Sequence, residues 1–464
     1  AVCGRICIHP CEFKCRRGEL DDPVAIRALK RFAADWYFDH IGMAKEPFPR
    51  TREQKVAVVG AGPAGLTCAY FLAKMGYGVT VFEMQSEGGG MLEITIPEFR
   101  LPREIIEKEI RYIESCGVEI RYNAPIDARH TVNDLMEEGY DAVFIAAGAQ
   151  ASKEIGIQGS EEDLKGLYHG LQFLAEIKAG HKVPLEGRVV VVGGGNVAFD
   201  VARTALRMGA EDVQIYYRRT IEEMPAWQKD IEEALEEGII IHPLWVPKRI
   251  IHEGRTAAPL PKSITALFDS SETSMSTGGG LTGIEFVRSK TVLDEDGRSY
   301  LSVDENETRI VDADTVIISI GQAPDASFLS EDSQLERNLW GSLEVNQNSL
   351  ATNIDGIFAG GDFTTGPSTV IQAIASGRRA AIAIDKHIRG EQGPIEIKDE
   401  KSALQEDAGL ALDEETTEEK PRARLEMEKP EERARDFREV ERGFDEDQVR
   451  YEAMRCLRCD LEEK

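Results

Sequence analysis

An α/β fold with two parallel-sheet units is what this sequence predicts, on three observations. Residues 55–83, KVAVVGAGPAGLTCAYFLAKMGYGVTVFE, read as buried strand, glycine turn, helix and second strand. Their periodicity passes from a continuous apolar run to a helical repeat and back, as a buried parallel βαβ unit requires. Residues 188–219, RVVVVGGGNVAFDVARTALRMGAEDVQIYYRR, repeat the pattern, with Gly193 placed 133 residues after Gly60. Near the end, IDGIFAGGDFTTGPSTVIQAIASGRRAAIAID gives a third strand, glycine turn and helix. Its simplest placement is back in the first unit, so the expected fold is two nested Rossmann-like domains of the glutathione-reductase type.

In GAGPAG, Gly60, Gly62 and Gly65 flank Pro63 and Ala64 with the G-x-G-x-x-G spacing between strand and helix. The first glycine makes the tight turn, the second lets backbone approach a pyrophosphate, and the third lets helix and strand pack closely. The helix N-terminus adds unpaired N–H groups and partial positive charge. Glu83 closes the second strand, where a carboxylate can accept hydrogen bonds from ribose hydroxyls. A packing turn is the plainer alternative, but strand, helix and terminal acid together point to a dinucleotide. In the second unit Gly193, Gly195, Asn196, Val197 and Ala198 form the turn, and Arg218 and Arg219 stand where Glu83 stands in the first. A guanidinium can pair bidentately with a 2′-phosphate that an acid would repel, so NADPH is favoured over NADH. Solvated surface arginines are the alternative.

Two such units call for two nucleotides, one of them a flavin. YDAVFIAAGA (140–149) is an apolar strand ending in small residues, among them Ala147 and Gly148, and DADTVIISIGQAPD (312–325) repeats it after the second unit. In AGGD, Gly361 and Asp362 could bring a carboxylate to a ribityl hydroxyl, with the helix start at Thr369 and Val370 facing the ring; taken alone, another tight turn is the equal alternative. Gly90, in GGGM, joins the candidate set.

The 464 residues allow two to four domains. The net charge of −28 argues against nucleic acid and anionic membrane surfaces, and no apolar run approaches the roughly 20 residues of a membrane span. A cytoplasmic, reducing location is expected, because the eight cysteines cluster instead of spreading as a disulfide scaffold would. Cys3, Cys7, Cys11 and Cys15 recur every four residues, and Cys456 and Cys459 form RCLRCD near the other end. Gly4 and Pro10 disfavour one continuous helix, so a loop wrapped around a metal centre is expected. Zinc is the rival to an iron–sulfur cluster, since four thiolates also suit a tetrahedral site. Cys68 and Cys116 read as core. The histidines show no metalloprotease or hydrolase spacing.

Taken in order, CGRICIHPCEFKC, GAGPAG, IPEFRLP, GGGNVAFD, YRRTIEEMPA and AGGD resemble the flavoprotein family of the glutamate synthase small (beta) subunit. That family also holds NADPH-dependent ferredoxin oxidoreductase large subunits and the reductase half of dihydropyrimidine dehydrogenase. The resemblance implies FAD at Gly60, Gly62, Gly65, Glu83, Arg100, Gly148, Gly361 and Asp362. It implies NADPH at Gly193, Gly195, Asn196, Arg218 and Arg219, and a small helical N-terminal iron–sulfur domain with one [4Fe-4S] cluster and room for a second. It also places EEMPAW (222–227) at the border of the NADPH pocket, where the residues alone say only turn or helix start. The family's cysteine-rich segment beginning C-x-x-C is not seen ahead of Cys3. EAMRCLRCD stands at the other end with only two cysteines, so the second ligand set stays open.

The expected organisation is a helical iron–sulfur domain (1–50), an FAD domain in two parts (51–180 and 326–390) and an NADPH domain (181–325). A charged solvated linker (391–435) and a C-terminal helix with the CxxC returning to the iron–sulfur domain (436–464) complete it. The expected function is an electron-transfer subunit passing electrons between NADP(H), FAD and cluster within a hetero-oligomeric redox complex, with ferredoxin or another redox subunit as partner. The alternatives are a thioredoxin-reductase-like disulfide reductase, which the cysteine-free span 117–455 opposes, and a non-catalytic electron wire.

Overall fold

Runs of valine, isoleucine and alanine, buried on both faces, build two parallel sheets in the computed structural model. It describes residues 1–42, 45–160, 164–185, 187–253, 280–293, 299–329, 333–338, 341–391, 393, 395 and 418–459. The first sheet runs β15-β4-β1-β2-β3, with β1 Lys55–Val59, β2 Gly78–Phe82, β3 Glu119–Arg121, β4 Ala142–Ile145 and β15 Ile357–Ala359. All its pairings are parallel, for example Val58 opposite Val81 and Phe144. The second runs β6-β13-β7-β8-β9, with β6 Leu167–His169, β7 Arg188–Val192, β8 Asp212–Tyr217, β9 Ile240–Pro243 and β13 Thr315–Ile318. It too is parallel throughout. Two short antiparallel strands, β5 (Ala151–Ser152) and β14 (Gln322–Ala323), join the chain's two crossings between the sheets.

β15 pairs with β4, so the late glycine turn rejoins the first unit. The helix that follows, Val370–Ile388, is capped by a Thr369–Gln372 capping box. It crosses the helix Pro63–Lys74 so closely that a Cβ on Gly377 would lie 2.1 Å from the Ala64 carbonyl oxygen. One boundary differs from expectation. β6 is hydrogen-bonded to β13, which puts Leu167–His169 in the second sheet, ahead of residue 181. The strand is too short for its periodicity to announce which sheet it joins.

From the second sheet a ribbon rises, β10 (Trp245–Glu253), β11 (Gly280–Leu293) and β12 (Ser299–Asp312), antiparallel in that order. At the N-terminus a helix, Val2–Ile6, gives way to turns through Cys15, and the next α-helix spans Ile26–His40. Within the helical domain expected over 1–50 this helix starts only after Pro23, which lacks a backbone donor, and ends at His40.

The solvated linker expected over 391–435 is also corrected in part. Residues 396–417 lie outside the described residues. Residues 418–435, however, are packed: Arg433 is buried against Glu237, and Arg422 pairs with Glu12 at 2.6 Å. The C-terminal helix expected over 436–464 is shorter among the described residues. The helix is Glu446–Met454, started by the Asp445 capping box with Gln448, and before it Val440 donates its N–H to the Phe99 carbonyl. Among the described residues no helix is long and apolar enough to cross a membrane.

Candidate functional site

The strand ends of both sheets open into one cavity of about 1470 Å³. Of the twenty residues proposed from sequence to bind nucleotide, nineteen line it: Gly60, Gly62, Pro63, Ala64, Glu83, Gly90, Arg100, Ala147, Gly148, Gly361, Asp362, Thr369, Val370, Gly193, Gly195, Asn196, Val197, Arg218 and Arg219. Gly65 does not. A Cβ there would lie 2.0 Å from the Gly60 carbonyl oxygen, which is the close helix–strand contact the third glycine serves.

The first turn fits a flavin dinucleotide on the evidence of its own geometry. Gly60 turns with φ +100°, and the helix opens at Gly62 with Pro63 in its first turn, so its first N–H groups face the cavity. Gly62 and Gly90 approach so closely that a Cβ on Gly90 would sit 3.0 Å from the Gly62 Cα. Gly148, at φ +76°, has open space where a Cβ would be. Glu83 is buried and accepts the Ala61 N–H at 2.7 Å and the Gln85 N–H at 2.9 Å. Burial pushes its carboxyl up, and these backbone donors pull against that. Asp362 is likewise pushed up by burial and accepts the Ser368 hydroxyl at 2.5 Å.

The second turn has the same construction. Gly193 adopts φ +149°, and a Cβ on it would meet the Ser319 carbonyl at 2.2 Å. The helix Asn196–Arg207 starts at Gly195, and Asn196 Oδ1 accepts the Trp227 N–H at 2.9 Å. EEMPAW therefore does border the pocket: Pro225 lines it, and Trp227 is tied to the turn. Arg218 and Arg219 are exposed just past the end of β8 and line the cavity.

Arg100 lines the cavity and makes contacts that the sequence did not announce. Its guanidinium reaches across to the second unit, 2.7 Å from Asp200 Oδ1 and 3.1 Å from Asp230 Oδ2. Burial opposes its charge, but the two carboxylates outweigh burial and raise its pKa. Arg100 thus ties the two nucleotide units together at the cavity wall, where the family resemblance implies an FAD contact.

Ile6 and Ile8, within the cysteine-bearing N-terminal segment, also line the cavity. No sequence signal marked them, because only the tertiary fold lays that segment over the strand ends. All eight cysteines are free. Cys7 is buried with its Sγ 3.4 Å from the His9 N–H, and Cys3 lies close enough that burial first, then the Cys7 sulfur, raises its pKa. The donor chemistry fits a thiolate-ligated cluster. The side chains are not preassembled around one, for among the described residues no three Cys, His, Asp or Glu groups converge as metal ligands. Cys456 follows Arg455, whose buried side chain holds Asp21 at 2.8 Å and the Asp22 carbonyl at 2.6 Å. That contact docks the tail pair on the N-terminal unit. Cys68 and Cys116 are fully buried core residues, and no cysteine lines the cavity.

Comparison with known proteins agrees with this architecture. Residues 54–277 and 280–377 match the pyridine nucleotide-disulphide oxidoreductase family, and residues 1–41 match dihydropyrimidine dehydrogenase domain II, 4Fe-4S cluster. The NADP(+)-dependent formate dehydrogenase subunit beta of Moorella thermoacetica is 40% identical over 99% of this chain, which spans 65% of that protein's length. The glutamate synthase [NADPH] small chain of Escherichia coli K12 is 32% identical over 82% of this chain and 79% of its own. Mycobacterium tuberculosis FprA, solved in complex with NADPH, shares the fold at a TM-score of 0.59 and 17% identity, over 73% of this chain and 85% of that one. The chain belongs to the pyridine nucleotide-disulphide oxidoreductase family, with FAD and NADP(H) as its nucleotides and a [4Fe-4S] domain at its N-terminus.

Proposed function

We propose that this chain is the NADP(H)-linked flavin subunit of a larger, cytoplasmic redox complex, exchanging electrons with a partner subunit or ferredoxin. The observation that carries the reading is the single cavity walled by both glycine turns and by Ile6 and Ile8 of the cysteine-bearing segment. Bound there, NADP(H) and FAD supply hydride transfer, and a cluster on the N-terminal segment supplies one-electron transfer. The chain's own contribution is placement. The two helix N-termini hold pyrophosphates, Glu83 and Asp362 receive hydroxyls, Arg218 and Arg219 select the 2′-phosphate, and Arg100 fixes the distance between the units. Hydride transfer needs no side-chain nucleophile, only close stacking and exclusion of water, and the apolar wall serves that. For the cluster we propose ligands from Cys3, Cys7, Cys11 and Cys15, with Cys456 and Cys459 as the source of a replacement or second set.

A formate dehydrogenase assembly is the partner type suggested by the Moorella relative, whose name includes that activity. Disulfide reduction is disfavoured because no cysteine lines the cavity. Anaerobic titration with NADPH tests the reading: the visible flavin band should bleach, with iron and sulfide near four per chain. A flavin that neither NADPH nor NADH bleaches would refute it.

A further inference from the structure

The ribbon β10-β11-β12 is not part of the nucleotide turn, yet it and the turn leading into it are tied to the arginine pair by two hydrogen bonds, with a third joining the two ties. The Leu244 N–H donates to the Arg219 carbonyl at 3.0 Å, the buried Ser289 hydroxyl donates to the Arg218 carbonyl at 2.7 Å, and the Ser289 N–H donates to the Leu244 carbonyl at 3.0 Å. Leu244 takes φ +65°, a left-handed conformation costly for a branched side chain. That turn switches the chain from β9 into β10 and delivers Trp245 to the cavity wall, one residue beyond the Leu244–Arg219 hydrogen bond.

Three aromatic rings stand in the wall at this end. Tyr216 is stacked on Phe286 at 4.2 Å and on His242 at 4.5 Å. The Tyr217 ring lies under the glycine turn, where a Cβ on Gly194 would be 2.5 Å from it, and its hydroxyl donates to the Glu223 carbonyl. Both serve the fold's own packing. Trp245 is half-buried, with the guanidinium carbons of Arg288 and Arg309 at 5.1 and 5.9 Å from its ring centroid. An indole held by cations, beside two exposed arginines, offers a flat π-surface where the ligand carries its 2′-phosphate.

We infer that Trp245 is the stacking platform for the adenine of NADP(H), and that Ser289 acts as a positioning residue by pinning the arginine turn. This rests on the reading of the second unit as a nucleotide site. An adenine on the indole sets Arg218 and Arg219 at the adjacent 2′-phosphate, so base and phosphate are read at one end, away from the hydride-transferring ring.

The test is calorimetric titration of the flavin-loaded protein with 2′,5′-ADP, which carries the base and the 2′-phosphate but no nicotinamide. Trp245→Ala should weaken binding by roughly tenfold, as loss of a base–aromatic stack does. Trp245→Phe should stay within about threefold, because a ring remains. Flavin content should stay near that of the parent in both, a result that a general loss of folding would not give. Ser289→Ala should weaken 2′,5′-ADP more than 5′-AMP. Unaltered 2′,5′-ADP affinity in Trp245→Ala would overturn the inference and leave the nucleotide reading intact. Failure of the parent protein to bind 2′,5′-ADP at all would overturn both.

Discussion

Glu237 shows at the scale of one residue how charge is organised around the site. Its carboxylate is wholly buried and receives Arg203 at 2.7 Å, Arg207 at 2.8 Å and Arg433 at 2.9 Å. Burial alone would raise its carboxyl, but the hydrogen bonds from Arg207 and Arg203 hold it at about 2, down from 4.5. A carboxyl depressed in the folded state stabilises fully above its unfolded pKa and loses that contribution as pH falls through the folded one. The melting temperature should therefore decline as pH is lowered from about 4.5 to about 2. In Glu237→Gln that part of the decline should vanish. The substitution should also cost roughly 3–5 kcal/mol at pH 7 in denaturant unfolding, since three guanidinium groups lose their shared partner. Nothing in the spacing of Arg203, Arg207, Glu237 and Arg433 marked them as a group, because Arg433 arrives from almost two hundred residues away. The flavin turn differs in this respect. Glu83 could be read from its place at a strand end, and Glu83→Ala should leave the protein folded by circular dichroism while markedly lowering its flavin content.

Among the elements, the crossing of helix Pro63–Lys74 with helix Val370–Ile388 decides whether the first nucleotide site exists. Gly377 sits against the Ala64 carbonyl and Gly361 against the Ala64 side chain, so both segments of the late strand–turn–helix press on the helix that follows the first turn. Gly377→Ala would drive a methyl into backbone at 2.1 Å and push the helices apart. It should cost roughly 3 kcal/mol, the upper end for overpacking, and reduce flavin retention on gel filtration. The helix itself was legible in sequence, from its periodicity and the Thr369 cap. The crossing partner was legible only as the simplest topology. The described part of the expected linker, 418–435, was misjudged, because dense Glu and Lys/Arg resemble a solvated segment. Here those charges meet complementary ones: Arg422 with Glu12, and Arg433 with Glu236 and Glu237. Arg455→Ala, which removes a fully buried guanidinium, should raise hydrogen exchange in both 446–456 and 21–25.

For the whole molecule, the proposed function depends on the distance between the two nucleotide units, which Arg100 bridges through Asp200 and Asp230. Arg100→Met should keep flavin content near that of the parent while slowing flavin reduction by NADPH roughly 100-fold in stopped flow, because small misplacements of reacting groups carry that penalty. A loss of flavin instead would return Arg100 to the role its IPEFRLP motif implied. By itself the sequence determined what local rules govern: the strand–turn–helix units, the third glycine's packing contact, the acid in one unit against the arginine pair in the other, and the clustered thiols. Each is written in a few neighbouring residues, since backbone conformation and phosphate recognition need only short-range chemistry. Tertiary structure alone decided which distant groups meet. It merged both turns into one cavity, laid Ile6 and Ile8 in its wall, drew Arg100 across to two aspartates, and brought Trp245 beside Arg219. Those pairings depend on the packing of whole elements against one another, and that information is spread over the chain rather than held in any motif.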